Sequence, residues 1–505
     1  MSLVDLDPRQ QPDVSSAILH HALDLGLRFK QQPDIFGKRL PAKDIRDLLL
    51  TRLPADPTSV QEVVEIFTND VLPLCKNESS PRFLGFGDTG DDLGALAGGI
   101  LAMLTQQNMI NQSFDAPSAT FIEIAVLRWL RELIGYANPA VTDVSTVWDV
   151  GGVITHGGTS SNTMAMMLAR EAKAPDTMHN GVTDAEQFGV VVPRGIGHYS
   201  VKSALTWIGV GARAIEVATR GYRYDLDDLA RTLDGHAGRI MAVVAYAGDS
   251  RTQTIDRLRA VHDLVRAADP AIHLHADACW GLVATFSERL RARVDGIDLF
   301  DSVTVDPHKV MAIPYGLSAL LVRHPHALRS TASYSDLIMQ EDFAFGQVTP
   351  FIGTKGWLSL KLWMMMRTRG RRGLSELAEQ RITHARQFAQ LLDAHPRMRP
   401  LNTPDLAAVA FIYLPQELNA GRELRQGEID LVNEINKRVY QRMLDDGRWY
   451  LHQFSIPDDN AVLRHGAILH PLRFMANNPN LTQTHMVDVI SYVDRLGAEF
   501  EAGPR

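Results

Sequence analysis

The chain has 505 residues, 45% of them hydrophobic, enough for a large core and more than one domain. Charged residues make up 22%, the formal net charge is -8 and the sequence pI is near 6.1, so no basic excess points to nucleic acid or an anionic membrane as partner. Two cysteines, Cys75 and Cys279, make no disulfide framework and fit a reducing compartment. With no CxxC and no HExxH in the chain, a structural or protease-type zinc site has no support.

The start, MSLVDLDPRQQPDVSS, has neither the basic opening nor the apolar run of a signal peptide. The longest apolar stretches, such as Leu93 to Leu104, are too short and too glycine-rich to span a bilayer. These features lead to the expectation of a soluble cytoplasmic protein.

Residues 14 to 75 carry helical periodicity broken by Pro41, Pro54 and Pro57, which reads as an arm of helices with no core of its own. A loop over Pro73 to Pro81 leads into a long helical region running to about Gly135. From Thr146 short apolar runs alternate with helical ones: GVITH, FGVVVP, ARAIEVA, RIMAVVAYA, IHLHADA, DSVTVDP and GLSALLV. This alternation predicts an α/β fold whose mostly parallel sheet is covered by helices on both faces. Functional side chains are then expected in loops beyond the carboxyl ends of the strands. After Gly353 come the helix WLSLKLWMMMRTRG, a second near Glu376 to His395, a third at about Gln426 to Asp446 and a last one in THMVDVISYVDRLGAEF, with short strands between them. The expected division is an arm (1–85), a large domain (86–375) and a small α+β domain (376–505).

Four strand-end features carry chemistry. In DPHK, Asp306 to Lys309, a lysine just past a strand can lose its proton in a protected pocket and attack an aldehyde. Alone it reads equally as a surface lysine. In HADA, Asp277 can pair with a pyridinium nitrogen and keep the ring an electron acceptor, or simply cap a helix. In HGGTSSN, His156 to Asn162, glycines admit a ligand close to the backbone and the helix start offers N–H groups to a phosphate. Hydroxyls of Thr159, Ser160 and Ser161 add donors; an ordinary capped turn is the plainer alternative. His198, in GIGHYSVKSA, can stack on an aromatic ring or serve packing.

Phosphate cradle, stacking histidine, ring-nitrogen acid and lysine occur in that chain order. Together with SPRFLGF (80–86), APSATFIE (116–123), HADACWG, DSVTVDPHK and SLKLWMMMRTRG (359–370), they make the sequence resemble the fold-type I pyridoxal-5′-phosphate (PLP) enzymes. Within these it is similar to the group II amino-acid decarboxylases, which include the aromatic-L-amino-acid, glutamate, histidine and 2,4-diaminobutyrate enzymes, and the resemblance covers nearly the whole chain. It implies a seven-stranded-type sheet, a cofactor held by Lys309 as a Schiff base, Asp277 on the ring nitrogen, and His198 stacked on the ring with a share in proton transfer. Gly158, Thr159, Ser160, Ser250, Asp306 and His308 match cofactor contacts. Gly353 and Thr354 match a loop that reaches the phosphate of the neighbouring subunit, which implies a homodimer. Arg473 matches a substrate-carboxylate arginine and Phe86 a substrate-pocket residue. Tyr334 matches a mobile-loop tyrosine that protonates the carbanion carbon.

The implied reaction is loss of the α-carboxylate of an L-amino acid as CO2 to give an amine. A PLP-dependent carbon–carbon lyase or a decarboxylating aldehyde synthase would share most of these motifs, and a binding protein that has kept the fold belongs to a third class. The substrate is left open between aromatic and basic amino acids. Phe86 favours the first, and Asp88, Asp91 and Asp92 in GDTGDD suit the second unless they form only a solvated acidic loop. Two departures from the family stand out: GDS, Gly248 to Ser250, replaces the usual Gly-Thr-Thr, with Asp249 a candidate to alter ring or substrate contacts, and the Lys309–Tyr334 segment is short.

Overall fold

The computed structural model describes residues 12–335, 343–349, 351, 353–418 and 421–501. Its centre is a seven-stranded sheet in the order Gly152–Thr155, Ser318–Val322, Ser302–Val305, His273–Asp277, Ile240–Tyr246, Gly189–Pro193, Ala214–Val217. The strands from Ser302 across to Val217 run parallel, and Ser318–Val322 is antiparallel to both its neighbours. Every residue of the strands Ile240–Tyr246, Ser302–Val305 and Ser318–Val322 is buried, which is why these runs are continuously apolar with little alternation.

The parallel arrangement brings the carboxyl ends of Gly189–Pro193, Ile240–Tyr246, His273–Asp277 and Ser302–Val305 to one edge of the sheet. The segments that follow them carry His198, Ser250, Asp277 and Lys309. Connections with helices on the faces make that edge the place where a ligand meets loops rather than packed side chains.

The long helical region expected up to Gly135 is two helices, Leu93–Thr105 and Ala119–Ile134. Gln106, in the left-handed conformation at φ 53, closes the first, and Gly135 at φ 101 closes the second. At the other end, Ser359–Asp393 is continuous except at Gly370, whose φ of 59 breaks the helical path. A smaller sheet in the order Met398–Pro400, Ala408–Tyr413, Leu472–Met475, His452–Gln453 packs on Gln426–Asp446 and Gln483–Glu501 around a separate apolar cluster that includes Phe388, Phe411 and Phe474.

The first three helices, Pro12–Lys30, Ala42–Leu49 and Val60–Ile66, bury no residue within the chain. Val14, Leu19, Leu23 and Leu27 stay exposed along the first of them. Among the described residues no helix is long and apolar enough to cross a membrane.

Candidate active site

A cavity of about 370 Å³ opens at the carboxyl edge of the sheet, with Lys309, Asp277, His198 and Gly158 among its lining residues. Lys309 sits in a short helix, Pro307–Val310, directly after the strand that ends at Val305. Its Nζ lies 2.7 Å from Oδ2 of the buried Asp306 and 5.2 Å from the centre of the Trp280 ring. Burial alone lowers the ammonium pKa, but Asp306 and its neighbours more than offset this, and the pKa stands above the ordinary lysine value. The same pairing holds the Asp306 carboxyl below its usual range against the opposing effect of burial. Oδ1 of Asp306 also accepts from the Ser318 hydroxyl.

Asp277 ends its strand with one oxygen accepting from Nδ2 of Asn162 at 3.0 Å and the other from the Cys279 amide at 3.1 Å. His198 occupies the N-cap of Tyr199–Trp207. Its amide donates to the Tyr246 hydroxyl at 2.8 Å, and its Nδ1 is 2.6 Å from the Ser200 hydroxyl. Burial lowers its pKa from the ordinary histidine value, with Asp277 opposing. His308 anchors its ring through Nδ1 to the Leu317 carbonyl at 2.6 Å.

The helix Gly158–Lys173 begins at the cavity with Gly157 as N-cap and no side chain capping it. The Ser160 amide donates back to the Gly157 carbonyl at 2.9 Å, and the Gly158 and Thr159 amides ahead of it are the helix-start donors that suit an anion. Gly158 has to be glycine for reasons of space: a Cβ there would stand 2.9 Å from both Asp306 carboxylate oxygens and from Cys279 Sγ.

Gly158, Thr159, Ser250, Asp306, His308 and Phe86 all line this cavity. Ser160 lies one step further along the helix and does not. Tyr334 is 72% exposed and stands away from the cavity; the rest of its segment from residue 336 lies outside the described residues, as do Pro350 and Ile352 of PFIGTKG. Gly353 and Thr354 are exposed and do not contribute to the cavity wall of this chain. Arg473 is buried beside it. Its guanidinium donates twice to the Gly85 carbonyl, at 3.0 and 3.3 Å, and once to the Ser250 carbonyl, and it covers the Phe86 ring at 5.4 Å.

The acidic loop is neither solvated nor turned to the cavity. Asp88 is buried, accepts from Arg381 at 3.0 Å and from the Ala312 amide at 2.7 Å. Asp91 pairs with Lys30 at 2.6 Å. Asp92 caps Leu93–Thr105 and pairs with Arg369 at 2.6 Å. Asp249 is likewise spent on its own turn, accepting from the amides of Arg251, Thr252 and Thr254 at 2.7 to 2.9 Å.

Several lining residues escaped the sequence reading: Asn162, Tyr246, Trp280 and Tyr315. Asn162 closes the HGGTSSN motif and could have been flagged there. Tyr246 and Tyr315 carry no local signal, because their role depends on which strand or loop lies opposite.

A family profile described as the pyridoxal-dependent decarboxylase conserved domain matches residues 41–414. The chain belongs to that family. Over 467 residues this decarboxylase is 26% identical to the aspartate 1-decarboxylase of Aliivibrio fischeri, covering 88% of this chain and 85% of that one. It is 25% identical over 471 residues to the human cysteine sulfinic acid decarboxylase, with 90% of each covered. The crystal structure of mouse CSAD in apo form superposes with a TM-score of 0.85 at 22% identity, over 96% of this chain and 99% of that one. That of Oryza sativa TDC with PLP and tryptamine gives 0.83 at 20%, over 98% and 99%.

The protein is thus a PLP-dependent carboxy-lyase of the amino-acid decarboxylase group, and its cavity suits that cofactor. The uncapped helix start would suit a phosphate, the space above Gly158 is one a side chain would fill, and a buried carboxylate and a lysine stand on the same cavity.

Proposed function

We propose that this decarboxylase removes the α-carboxylate of an L-amino acid bearing an aromatic or apolar side chain, releasing CO2 and the amine. The observation that carries the substrate class is that both carboxylates on the cavity, Asp277 and Asp306, already have partners, while Phe86, Trp280, Tyr199 and Tyr315 supply aromatic surface. A basic side chain finds no free carboxylate there, because Asp88, Asp91 and Asp92 are engaged elsewhere.

Each residue receives a role from its place. Lys309 attaches the cofactor through its amine, and Asp306 beside it takes part in holding that amine's proton. Asp277 holds the ring nitrogen protonated. His198, capping its helix at the cavity wall, would stack on the ring and pass a proton at the substrate α-carbon. Gly158, Thr159 and His308 would hold the phosphate, with Gly353 and Thr354 of a second copy completing that end. Ser250 would donate to the ring side, and Arg473 acts on the substrate end of the cavity by fixing the Ser250 and Gly85 carbonyls and the Phe86 ring. When bound, PLP supplies the electron sink that accepts the pair left by departing CO2. Tyr334, matched by the family resemblance alone, would deliver the proton to the carbon that CO2 leaves.

The same reading includes a homodimer built on the exposed apolar arm, cytoplasmic residence, and the division 1–85, 86–375 and 376–505. The test is to incubate the PLP-loaded enzyme with the twenty amino acids, dopa, ornithine and diaminobutyrate, following CO2, amine, aldehyde and peroxide together. Amine and CO2 in equal amounts from aromatic substrates is the expected result. Aldehyde with peroxide would identify the oxidative variant, carbon–carbon cleavage without CO2 a lyase, and activity confined to ornithine or diaminobutyrate would overturn the substrate class.

A further inference from the structure

We propose that Tyr315 sets the length of side chain that this decarboxylase accepts, its ring being the partition between the Lys309 cavity and a second cavity behind it. The inference rests on the reading that the first cavity binds the amino-acid substrate.

Tyr315 lines both spaces. On one side is the cavity of about 370 Å³ around Lys309, and on the other one of about 320 Å³ bounded by Lys30, Ser79, Asp88 and Thr89. Its surface is 52% accessible, as expected for a side chain with open space on two sides. The ring meets His308 edge-on at 5.7 Å between centres.

Two residues, Glu78 and Lys361, hold it in place. The phenol donates to Oε1 of Glu78 at 2.8 Å, and the same oxygen is ion-paired with Lys76 at 2.6 Å. The backbone is fixed from below, where Lys361 Nζ donates to the Tyr315 carbonyl at 3.1 Å and to that of Pro314 at 3.3 Å. Gly87 makes room for the hydroxyl: a Cβ there would stand 2.3 Å from Tyr315 Oη, and at φ +83 the position disfavours any other residue.

Gly87 directly follows Phe86, which lines the cofactor cavity. The ring of Tyr315 therefore stands at the end of the cavity where Phe86 meets the substrate side chain. Behind it the second cavity is mostly apolar, with Phe29, Leu96 and Ile313 in its wall beside Lys30, Ser79 and Asp88, and the Thr89 hydroxyl there is buried without a hydrogen-bond partner. A side chain reaching past the Tyr315 position would enter that space. In the native protein the ring occupies the passage, and burial together with Glu78 keeps the phenol protonated by raising its pKa, so the bond to Glu78 persists across the neutral range.

The experiment compares the wild-type holoenzyme with Tyr315→Ala, Tyr315→Leu and Tyr315→Phe on homologous sets: aspartate, glutamate and 2-aminoadipate; phenylalanine and homophenylalanine; ornithine and lysine. Two readouts are taken, kcat/KM for CO2 release and Kd from the absorbance change of the bound cofactor. The preference for the longer member of a set should rise roughly tenfold or more in Tyr315→Ala, since one methylene in a pocket is worth about that much. Tyr315→Leu should fall between, and Tyr315→Phe, which keeps the ring, should retain the native order. Ratios within about twofold of wild type for both shortened variants, in a pocket context where a methylene is worth at least about tenfold, overturn the proposal. A wild type that binds the amino acids but releases no CO2 overturns the decarboxylation reading alone, because the Kd ratios still decide the role of Tyr315. A holoenzyme that binds none of them overturns both.

Discussion

Asn162 joins two residues of one strand: its Nδ2 donates to Oδ2 of Asp277 at 3.0 Å, and its Oδ1 faces Nε2 of His275 at 3.0 Å. With the amide oriented in this way His275 donates from Nε2, which leaves Nδ1 to accept from the Ser302 hydroxyl at 2.8 Å. All of these groups are buried, so the orientation of Asp277 is fixed by a network in low-dielectric surroundings. Asn162→Ala should lower PLP affinity and kcat/KM by roughly tenfold to a hundredfold, the worth of about 1.5–3 kcal/mol for a bond to a charged group. Cofactor titration followed by absorbance, alongside steady-state kinetics, checks this; unchanged PLP affinity would remove Asn162 from the site.

The same histidine gives a pH dependence. Burial brings the pKa of His275 down from 6.5 to about 3, with Asp277 opposing only in part. A histidine whose folded pKa lies below its unfolded value binds fewer protons when folded, so stability falls as pH drops below about 6.5 and keeps falling towards about 3. His273, buried alongside, is shifted in the same direction. Urea unfolding midpoints measured from pH 8 down to 5 should decline below 6.5, and His275→Gln should flatten that slope.

Lys309→Ala should abolish turnover, because no other lysine lines the cavity among the described residues. Wild-type enzyme should lose its visible cofactor absorbance on borohydride treatment and retain the cofactor covalently, whereas the variant should release it on dialysis. Near wild-type activity with normal absorbance in Lys309→Ala would show that another amine holds the cofactor.

Asp88→Asn should act on stability rather than on substrate choice. The substitution leaves the Arg381 guanidinium buried without its counter-charge, a loss of about 3–5 kcal/mol for a broken buried pair. Burial, opposed by Arg381, raises the Asp88 pKa, so this group binds its proton more readily in the folded state and its own titration does not weaken the fold as pH falls. Thermal melting with kinetics on two substrates separates the alternatives: a lower Tm with an unchanged substrate ratio is expected, and a selective loss on cationic substrates would restore a recognition role.

Tyr334→Phe should slow amine formation more than CO2 loss. The carbanion left by decarboxylation either takes a proton at the α-carbon or reacts with dioxygen and water, giving aldehyde, ammonia and hydrogen peroxide. Phenylalanine keeps the ring but has no proton to deliver. Under air the aldehyde and peroxide share should rise together; an unchanged amine-to-CO2 ratio would assign the proton to another group.

The sequence by itself determined the features that are local. Apolar runs such as RIMAVVAYA and DSVTV give buried strands, and a motif placed directly after a strand ends at the cavity edge whatever lies elsewhere; Asp277, Lys309 and Gly158 could therefore be named from short segments. Only the tertiary structure decided the fate of side chains whose partners are distant in the chain. Asp88 meets Arg381, Asp91 meets Lys30 and Asp92 meets Arg369, so three carboxylates that look like a solvated or substrate-binding loop are structural ties. Arg473 meets the carbonyls of Gly85 and Ser250, and Tyr315 meets Glu78. A hydrogen bond or ion pair depends on separations of a few ångströms between segments hundreds of residues apart, and neither spacing nor periodicity along the chain encodes that distance.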